Sequence, residues 1–395
     1  MQRAYLDHNA TSPLRPEVRE AIVAAWDIIG NASSVHKEGR DARAVVERAR
    51  QQVAELVGGV MRQVIFTSGA SEANMLALSP NMKVTYQLDR ASHLYMSAIE
   101  HPSVLSGGRF ALGDRTEIPV LANGVVDLDA LRRLLEAHDQ DAGRPMIAVM
   151  AVNSETGVIQ PMEEIGALAK AYNAYFHLDA VQAAGRIPLD IGAIGCTSLS
   201  LSAHKLGGPK GVGALVMADE GTEPEPLITG GPQENRLRAG TENVAGIVGF
   251  GVACQMVHEA LATGEVMDGL ARMRDAFEVR LRQMAPDAVI FGEGAPRVGN
   301  GCQFAIPGLK GETTLIRLDL AGIAVSSGSA CSSGKISASH VLLAMGYESS
   351  LAACAIRVSL GWSSKETEIH ALVSALEQIC VKNSKNSLRG IEKAS

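Results

Sequence analysis

The chain has 395 residues, 46% of them hydrophobic, enough to bury a substantial core and to divide into two domains or more. A net charge of -7 without a long basic run argues against nucleic acid or an anionic membrane as partner and favours a small-molecule site. Forty glycines beside only 4% aromatic residues suit a turn-rich α/β enzyme whose backbone approaches its ligand closely.

The opening stretch, MQRAYLDHNATSPL, has no apolar leader core, and no window reads as the ~18 apolar residues of a membrane span, so a cytosolic protein is expected. Ala42, Val45, Val46, Ala49, Val53, Leu56 and Val57 predict an amphipathic helix over 38–57, ended by Gly58-Gly59. QVIFT (63–67) reads as a buried strand that runs through SGAS into a helix. The same unit recurs: MIAVMAV (146–152) as a strand, a helix opened by Pro161, YFHLD as a strand ending at Asp179, then CTSLSLS and VGALVM as further strands. Strands alternating with helices predict a mostly parallel sheet covered on both faces, with ligands gathered at the carboxyl ends of its strands. Ser68, Asn153, Asp179 and Lys205 fall at such ends.

A long helix is expected over 243–262 and a charged amphipathic one over 264–285. Short strands (AVIFG, CQFAIP, AIRVSL) and a last helix at 364–380 follow, with a polar, frayed tail from 383. The expected division is a large domain of residues 14–262 and a smaller α/β domain of residues 1–13 with 263–395.

Asp179 and Lys205 together suggest pyridoxal phosphate, which needs an amine to bind its aldehyde and a carboxylate beside its pyridine nitrogen. SGAS at 68–71 offers backbone N–H groups and hydroxyls at a helix start, the geometry that a phosphate prefers, although such a turn also serves as simple capping. Six cysteines, at 196, 254, 302, 331, 354 and 380, form no CxxC pair, so neither a zinc ribbon nor a disulfide framework is indicated.

LDHNATSPL, NASSVHKEGR, FTSGASEANMLAL, SAIEHPSVL, VNSETGVIQP, FHLDAVQAAGRIPLD, SAHKLGGPKGVGAL, RAGTENVAGIVGFG, AVSSGSACSSG, ASHVLLAMG and IRVSLG occur in this order. From residue 5 to about 370 the chain closely resembles the cysteine desulfurases of the NifS/IscS type, class V of the fold type I pyridoxal-phosphate enzymes. The resemblance implies an α/β fold type I transferase with a smaller C-terminal α/β domain, working as a homodimer. It makes Lys205 the Schiff-base lysine, Asp179 the pyridinium partner, Gln182 a hydrogen-bond donor to the ring oxygen and His101 the residue stacked on the ring. Ala70, Ser71, Ser202 and His204 would hold the phosphate, joined by Thr241 from the other subunit. Where relatives often carry paired asparagines this chain has Asn153-Ser154, so Ser154 falls where an amide usually meets the ring oxygen, and Asn153 is expected near the substrate. Ala32 in NASS replaces a common proline.

Cys331 lies among small flexible residues, as an attacking thiolate requires, and the resemblance makes it the sulfur acceptor. On that reading L-cysteine enters with its carboxylate on Arg357, Lys205 removes the Cα proton, and Cys331 takes the sulfur as a persulfide while L-alanine leaves. His101 is a candidate proton donor or acceptor at the substrate thiol. The long cysteine segment resembles those that deliver sulfur to an acceptor protein, with an iron-sulfur scaffold the implied partner. A class V aminotransferase or a selenocysteine lyase would share the cofactor frame without needing Cys331, whereas a non-catalytic sulfur carrier would need only Cys331. A dinucleotide-binding fold lacks its GxGxxG.

Overall fold

A computed structural model describes residues 3–327 and 338–392, with side chains through residue 381; Cys331 lies outside the described residues. The strands in chain order are β1 (Ala4–Tyr5), β2 (Val64–Thr67), β3 (Asn81–Val84), β4 (Gln87–Ser97), β5 (Arg115–Ile118), β6 (Arg144–Met150) and β7 (Tyr175–Asp179). They continue with β8 (Ser198–Ser202), β9 (Gly213–Met217), β10 (Thr222–Pro224), β11 (Val289–Ile290), β12 (Gly301–Ala305), β13 (Ile323–Ala324) and β14 (Ala355–Ser359). The central sheet runs β10-β3-β4-β6-β7-β8-β9-β2, with β5 paired to β4.

The expected parallel arrangement holds for β5, β4, β6, β7 and β8. It fails at β9, which is antiparallel to both β8 and β2. Residues 203–212 hold one 3-10 turn and no crossover helix, and so short a link can only reverse the chain. Beyond β4, β3 and β10 add an antiparallel extension that the sequence reading did not anticipate.

Strand alternation sorts the core into two faces. Ile147, Val149, Phe176, Leu178, Leu199, Leu201, Ala214 and Val216 pack with Val46, Val53, Ile165 and Phe250. Their neighbours Met146, Ala148, Tyr175, Leu215 and Met217 pack with Ala73, Leu76, Val104 and Phe110 on the other side. That second face carries the helix Ala70–Ala77, and His177 and Asp179, two and four residues beyond Tyr175, share it.

Further apolar clusters complete the molecule. Ala4 and Leu6 join Leu270, Phe277, Phe304, Leu318, Val358 and Leu372 around the β11-β12-β14 sheet. Ile99 joins Phe291, Ala305, Val341 and Leu342. The final helix, expected to stop near 380, continues from Glu366 to Glu392.

One helix, Val244–Thr263, does reach the length and apolarity of a membrane span, contrary to the expectation from the sequence. Half of that window is buried, and the helix packs against Pro16–Trp26 and Lys37–Leu56. The approach is close: a Cβ on Gly249 would fall 2.6 Å from Ile22, and one on Gly251 would fall 2.6 Å from the Cα of Ala49.

Candidate active site

A cavity of about 800 Å³ opens at the carboxyl ends of β6, β7 and β8, where Met150, Asp179 and Ser202 are the last strand residues. Lys205, His101, Ala70, Ser71, Ser154, Gln182, Ser202, His204 and Arg357 line it with Asp179, so the strand-end logic gathers residues far apart in sequence.

Asp179 forms the floor and is only 6% exposed. Its Oδ1 accepts from the backbone N–H of Val181 at 3.1 Å and its Oδ2 from the side-chain amide of Asn74 at 2.9 Å. Lys205 Nζ donates to the carbonyls of Asn9 and Ala10 at 2.5 and 2.8 Å. His101 starts a short helix, with its Nδ1 taking the backbone N–H of Ser103 at 3.1 Å. Burial lowers the His101 pKa; the Asp179 carboxylate opposes this, while Lys205 and His340 reinforce it.

The donors fit a pyridoxal phosphate. The helix Ala70–Ala77 begins at Gly69 without a side-chain cap, leaving the N–H groups of its first turn without a capping acceptor. Ser71, Ser202, His204 and Lys210 surround that end, a cationic and hydroxylic setting for a dianion. A Cβ on Gly213 would lie 2.6 Å from the carbonyl carbon of Gly69, so glycine in β9 lets this helix start sit directly on the sheet. Burial, with Lys205 and Lys210, holds His204 down to about 4, and its Nδ1 meets Thr11 Oγ1 at 3.1 Å.

On the opposite rim, Arg357 Nη2 donates to Asp7 Oδ1 at 2.8 Å and Nη1 to the Ser154 carbonyl at 3.2 Å, while its buried Nε has no partner among the described residues. Gln182 donates to the Asn9 carbonyl at 3.0 Å, and its Oε1 accepts from Arg186. Burial, with Arg357 nearby, lowers the Arg186 pKa to about 9.

Two expected site residues stand elsewhere. Asn153 is buried but does not line the cavity. Its Oδ1 takes Glu155 N, Thr156 N and Thr156 Oγ1 at 3.0, 3.0 and 3.1 Å, and its Nδ2 goes to the Ile99 carbonyl at 3.2 Å. That asparagine builds the turn presenting Ser154 and Glu155, while its neighbour Ser154 lines the cavity. Thr241 is exposed and outside the cavity lining. The chain reaches it through three consecutive non-glycine residues in left-handed conformation, Glu234, Asn235 and Arg236, with φ of 47°, 56° and 70°. Such conformations cost of order 1–3 kcal/mol each. The buried Glu234 holds them through Arg50, at 2.6 and 2.9 Å, and Phe66 N at 2.9 Å.

The sequence reading missed several contributors. Asn9, Ala10 and Thr11 line the cavity from LDHNATSPL, a stretch quoted as a motif yet given no role. Glu100 is fully buried there: Oε1 accepts from Met150 N at 2.6 Å and Oε2 has no partner among the described residues. Burial, reinforced by Asp179, pushes its carboxyl well above the usual range. Glu155 Oε2 accepts from Ser339 Oγ at 2.6 Å and Gln303 Nε2 at 2.9 Å, and His340 Nε2 donates to the Glu100 carbonyl at 3.0 Å. Thus both ends of the Cys331 segment are tied to the cavity, because Ser326 pairs backbone to backbone with Arg357 on the near side. Cys196, Cys254, Cys302 and Cys354 are buried, and burial lifts the thiol of Cys196 to about 12 and raises those of Cys254 and Cys302.

Comparison with known proteins agrees with this layout. The aminotransferase class-V family model matches residues 4–372. A cysteine desulfurase IscS of Dictyoglomus turgidum is 39% identical over 96% of this chain and 95% of its own length. The crystal structure of a NifS-like protein from Rickettsia africae superposes with a TM-score of 0.83 at 33% identity, covering 96% of this chain and 99% of the other. A structure described as SspA in complex with cysteine has a TM-score of 0.76 at 30% identity, over 90% and 98% of the two chains. An ordered cavity with Lys205 and Asp179 at its centre, on this fold and with these relatives, has one meaning: the chain belongs to the class-V aminotransferase family and, within it, to the NifS/IscS-type cysteine desulfurases, which depend on pyridoxal phosphate.

Proposed function

We propose that Cys331 accepts the sulfur of L-cysteine as a persulfide and passes it to an acceptor protein, an iron-sulfur scaffold being the expected one. The carrying observation is that both described flanks of its segment belong to the cavity: Ser326 is bonded to Arg357, and Ala338 and His340 line the wall. Three residues lie between Ser327 and Cys331, and those four steps of chain can reach about 14 Å at most at ~3.6 Å per residue.

Pyridoxal phosphate, when bound, supplies an electron sink for the substrate Cα. In this reading Lys205 would carry it, Asp179 would pair with its ring nitrogen, and Ala70, Ser71, Ser202 and His204 would hold its phosphate. Gln182 and Ser154 would serve its ring oxygen, and His101 would pack against its ring. The substrate carboxylate pairs with Arg357, whose planar guanidinium suits bidentate contact. Lys205 moves the proton at Cα. The Cys331 thiolate attacks the substrate Sγ, so an S–S bond forms as the C–S bond breaks; the bonding pair stays with carbon, which is protonated and leaves as L-alanine. Buried thiols with raised pKa values, such as Cys254 and Cys302, are unsuited to that attack.

The same reading keeps residues 14–262 as the cofactor-binding domain and residues 1–13 with 263–395 as the domain carrying the Cys331 segment. It makes the enzyme a cytosolic homodimer in which Thr241 completes the neighbour's phosphate site. The test is an absorbance scan followed by L-cysteine and a thiol reductant, assaying alanine and sulfide. Equimolar products that both vanish in Cys331→Ala are expected. Alanine formation that survives the substitution overturns the acceptor role and makes selenocysteine the next substrate to try.

A further inference from the structure

We propose that Asn74, buried beneath the cavity and touching none of the reacting atoms, is a positioning residue that fixes the proton arrangement of both Asp179 and His101. The inference rests on the roles just assigned to those two residues.

Asn74 is fully buried on the helix Ala70–Ala77, over the sheet face that carries His177 and Asp179. Its Nδ2 lies 2.9 Å from Asp179 Oδ2 and 3.0 Å from Ser103 Oγ; its Oδ1 lies 3.0 Å from His177 Nε2. A carboxylate oxygen accepts, so the amide nitrogen must face Asp179 and the amide oxygen must face His177. That oxygen accepts only, so His177 carries its proton on Nε2. Its Nδ1, 2.9 Å from Ser198 Oγ, is then left to accept the serine hydroxyl. The opposite tautomer would set His177 Nε2 and Asn74 Oδ1 lone pair against lone pair. Turning the amide over would set its oxygen against Asp179. Burial holds the His177 pKa down to about 3, with the Ser198 backbone opposing, so this ring is neutral and has one proton to place.

The second N–H of Asn74 acts on His101. Ser103 Oγ accepts it and is free to give its own proton to His101 Nδ1, 2.8 Å away, beside the backbone N–H of Ser103 on the same nitrogen. With Nδ1 occupied by donors, neutral His101 holds its proton on Nε2. One amide thus directs a donor to the carboxylate and another, through a hydroxyl, to the histidine. The charged and titratable groups facing His101 are Asp179, Lys205 and His340.

The test is long-range ¹H–¹⁵N correlation NMR on protein labelled at its histidines, with and without cofactor, in wild type, Asn74→Leu, Ser103→Ala and Ser198→Ala. Wild type is expected to show Nε2–H tautomers for His101 and His177. Asn74→Leu is expected to release His177, to shift the His101 Nδ1 resonance through Ser103, and to lower kcat by roughly tenfold, the lower end for outer partners of a site, with KM within about twofold. Ser103→Ala is expected to shift the His101 Nδ1 resonance and leave His177 alone; Ser198→Ala is expected to leave His177 protonated on Nε2. An Nδ1–H tautomer of His177 in wild type overturns the proposal, as does a folded Asn74→Leu protein with both tautomers unchanged. If Asn74→Leu does not fold, an unmoved His101 spectrum in Ser103→Ala does the same. Full turnover by Asp179→Asn or His101→Gln holoenzyme would instead sink the assigned roles, leaving the tautomer result standing.

Discussion

The floor and the rim of the cavity are built on different terms. On the floor, Ser198, His177, Asn74 and Asp179 are joined by bonds of 2.9–3.0 Å, each oriented by the next. On the rim, Arg357 has a buried Nε without a partner among the described residues and is paired with Asp7, which keeps contact with solvent. The floor is set by its own bonds, whereas the rim holds a cation already paired with a carboxylate. On the proposed reading, chemistry at a fixed ring belongs to the first, and recognition of a small diffusing amino acid, which must displace or share Asp7, belongs to the second.

Substitutions break or sharpen this contrast. Lys205→Ala, which removes the amine proposed to carry the cofactor and move the proton, is expected to reduce alanine formation about 10³-fold or more. Asp179→Asn should lower kcat on the order of a hundredfold with little change in KM, the mark of a floor residue. Arg357→Gln should do the reverse, raising KM for L-cysteine at least about tenfold with a smaller change in kcat. Asp7→Asn should lower KM by roughly a factor of a few, since the substrate carboxylate then meets no competitor. An unchanged KM in both rim variants would show that the substrate binds elsewhere.

The floor also has a pH signature. His177 is held at about 3, below its ordinary 6.5, so between these values the unfolded chain binds the extra proton. Stability is therefore lost as pH falls from about 6.5 toward 3, by about 1.4 kcal/mol per pH unit for this one group. Denaturant melts across that window should show His177→Gln flatter than wild type by this slope; equal slopes would mean that the ring is not buried neutral. Gly213→Ala tests the contact between sheet and helix start. The new methyl meets the Gly69 backbone at 2.6 Å, which should cost about 1–3 kcal/mol of stability and weaken phosphate-end binding.

Much of this was legible in the sequence because it is local. YFHLD predicted β7 to the residue, and strand ends placed Asp179 and Lys205 without reference to any neighbour. What stayed hidden depends on what packs against what. VGALVM is apolar throughout, and an apolar run carries no direction, so the reversal of β9 could not be read. Strand β4 mixes Asp89, Arg90, Ser92 and His93 with apolar residues and shows no clean alternation until its neighbours are known. Asn74 sits mid-helix and His177 mid-strand, positions that carry no motif; only the crossing of helix and sheet brings them together. Asn153 shows another side of this, because an asparagine at a strand end can spend its side-chain oxygen on its own turn, a use that no motif announces. The reading of Cys331 falls outside the described residues.

The helix Val244–Thr263 has a consequence for biosynthesis. It is apolar enough to be mistaken for a membrane segment by anything that inspects a growing chain for hydrophobic length. Its covering partners, Pro16–Trp26 and Lys37–Leu56, are translated nearly two hundred residues earlier. The surface that shields it is already waiting outside the ribosome when it emerges, so chain order itself shortens the interval in which the segment is exposed to aggregation or misrouting.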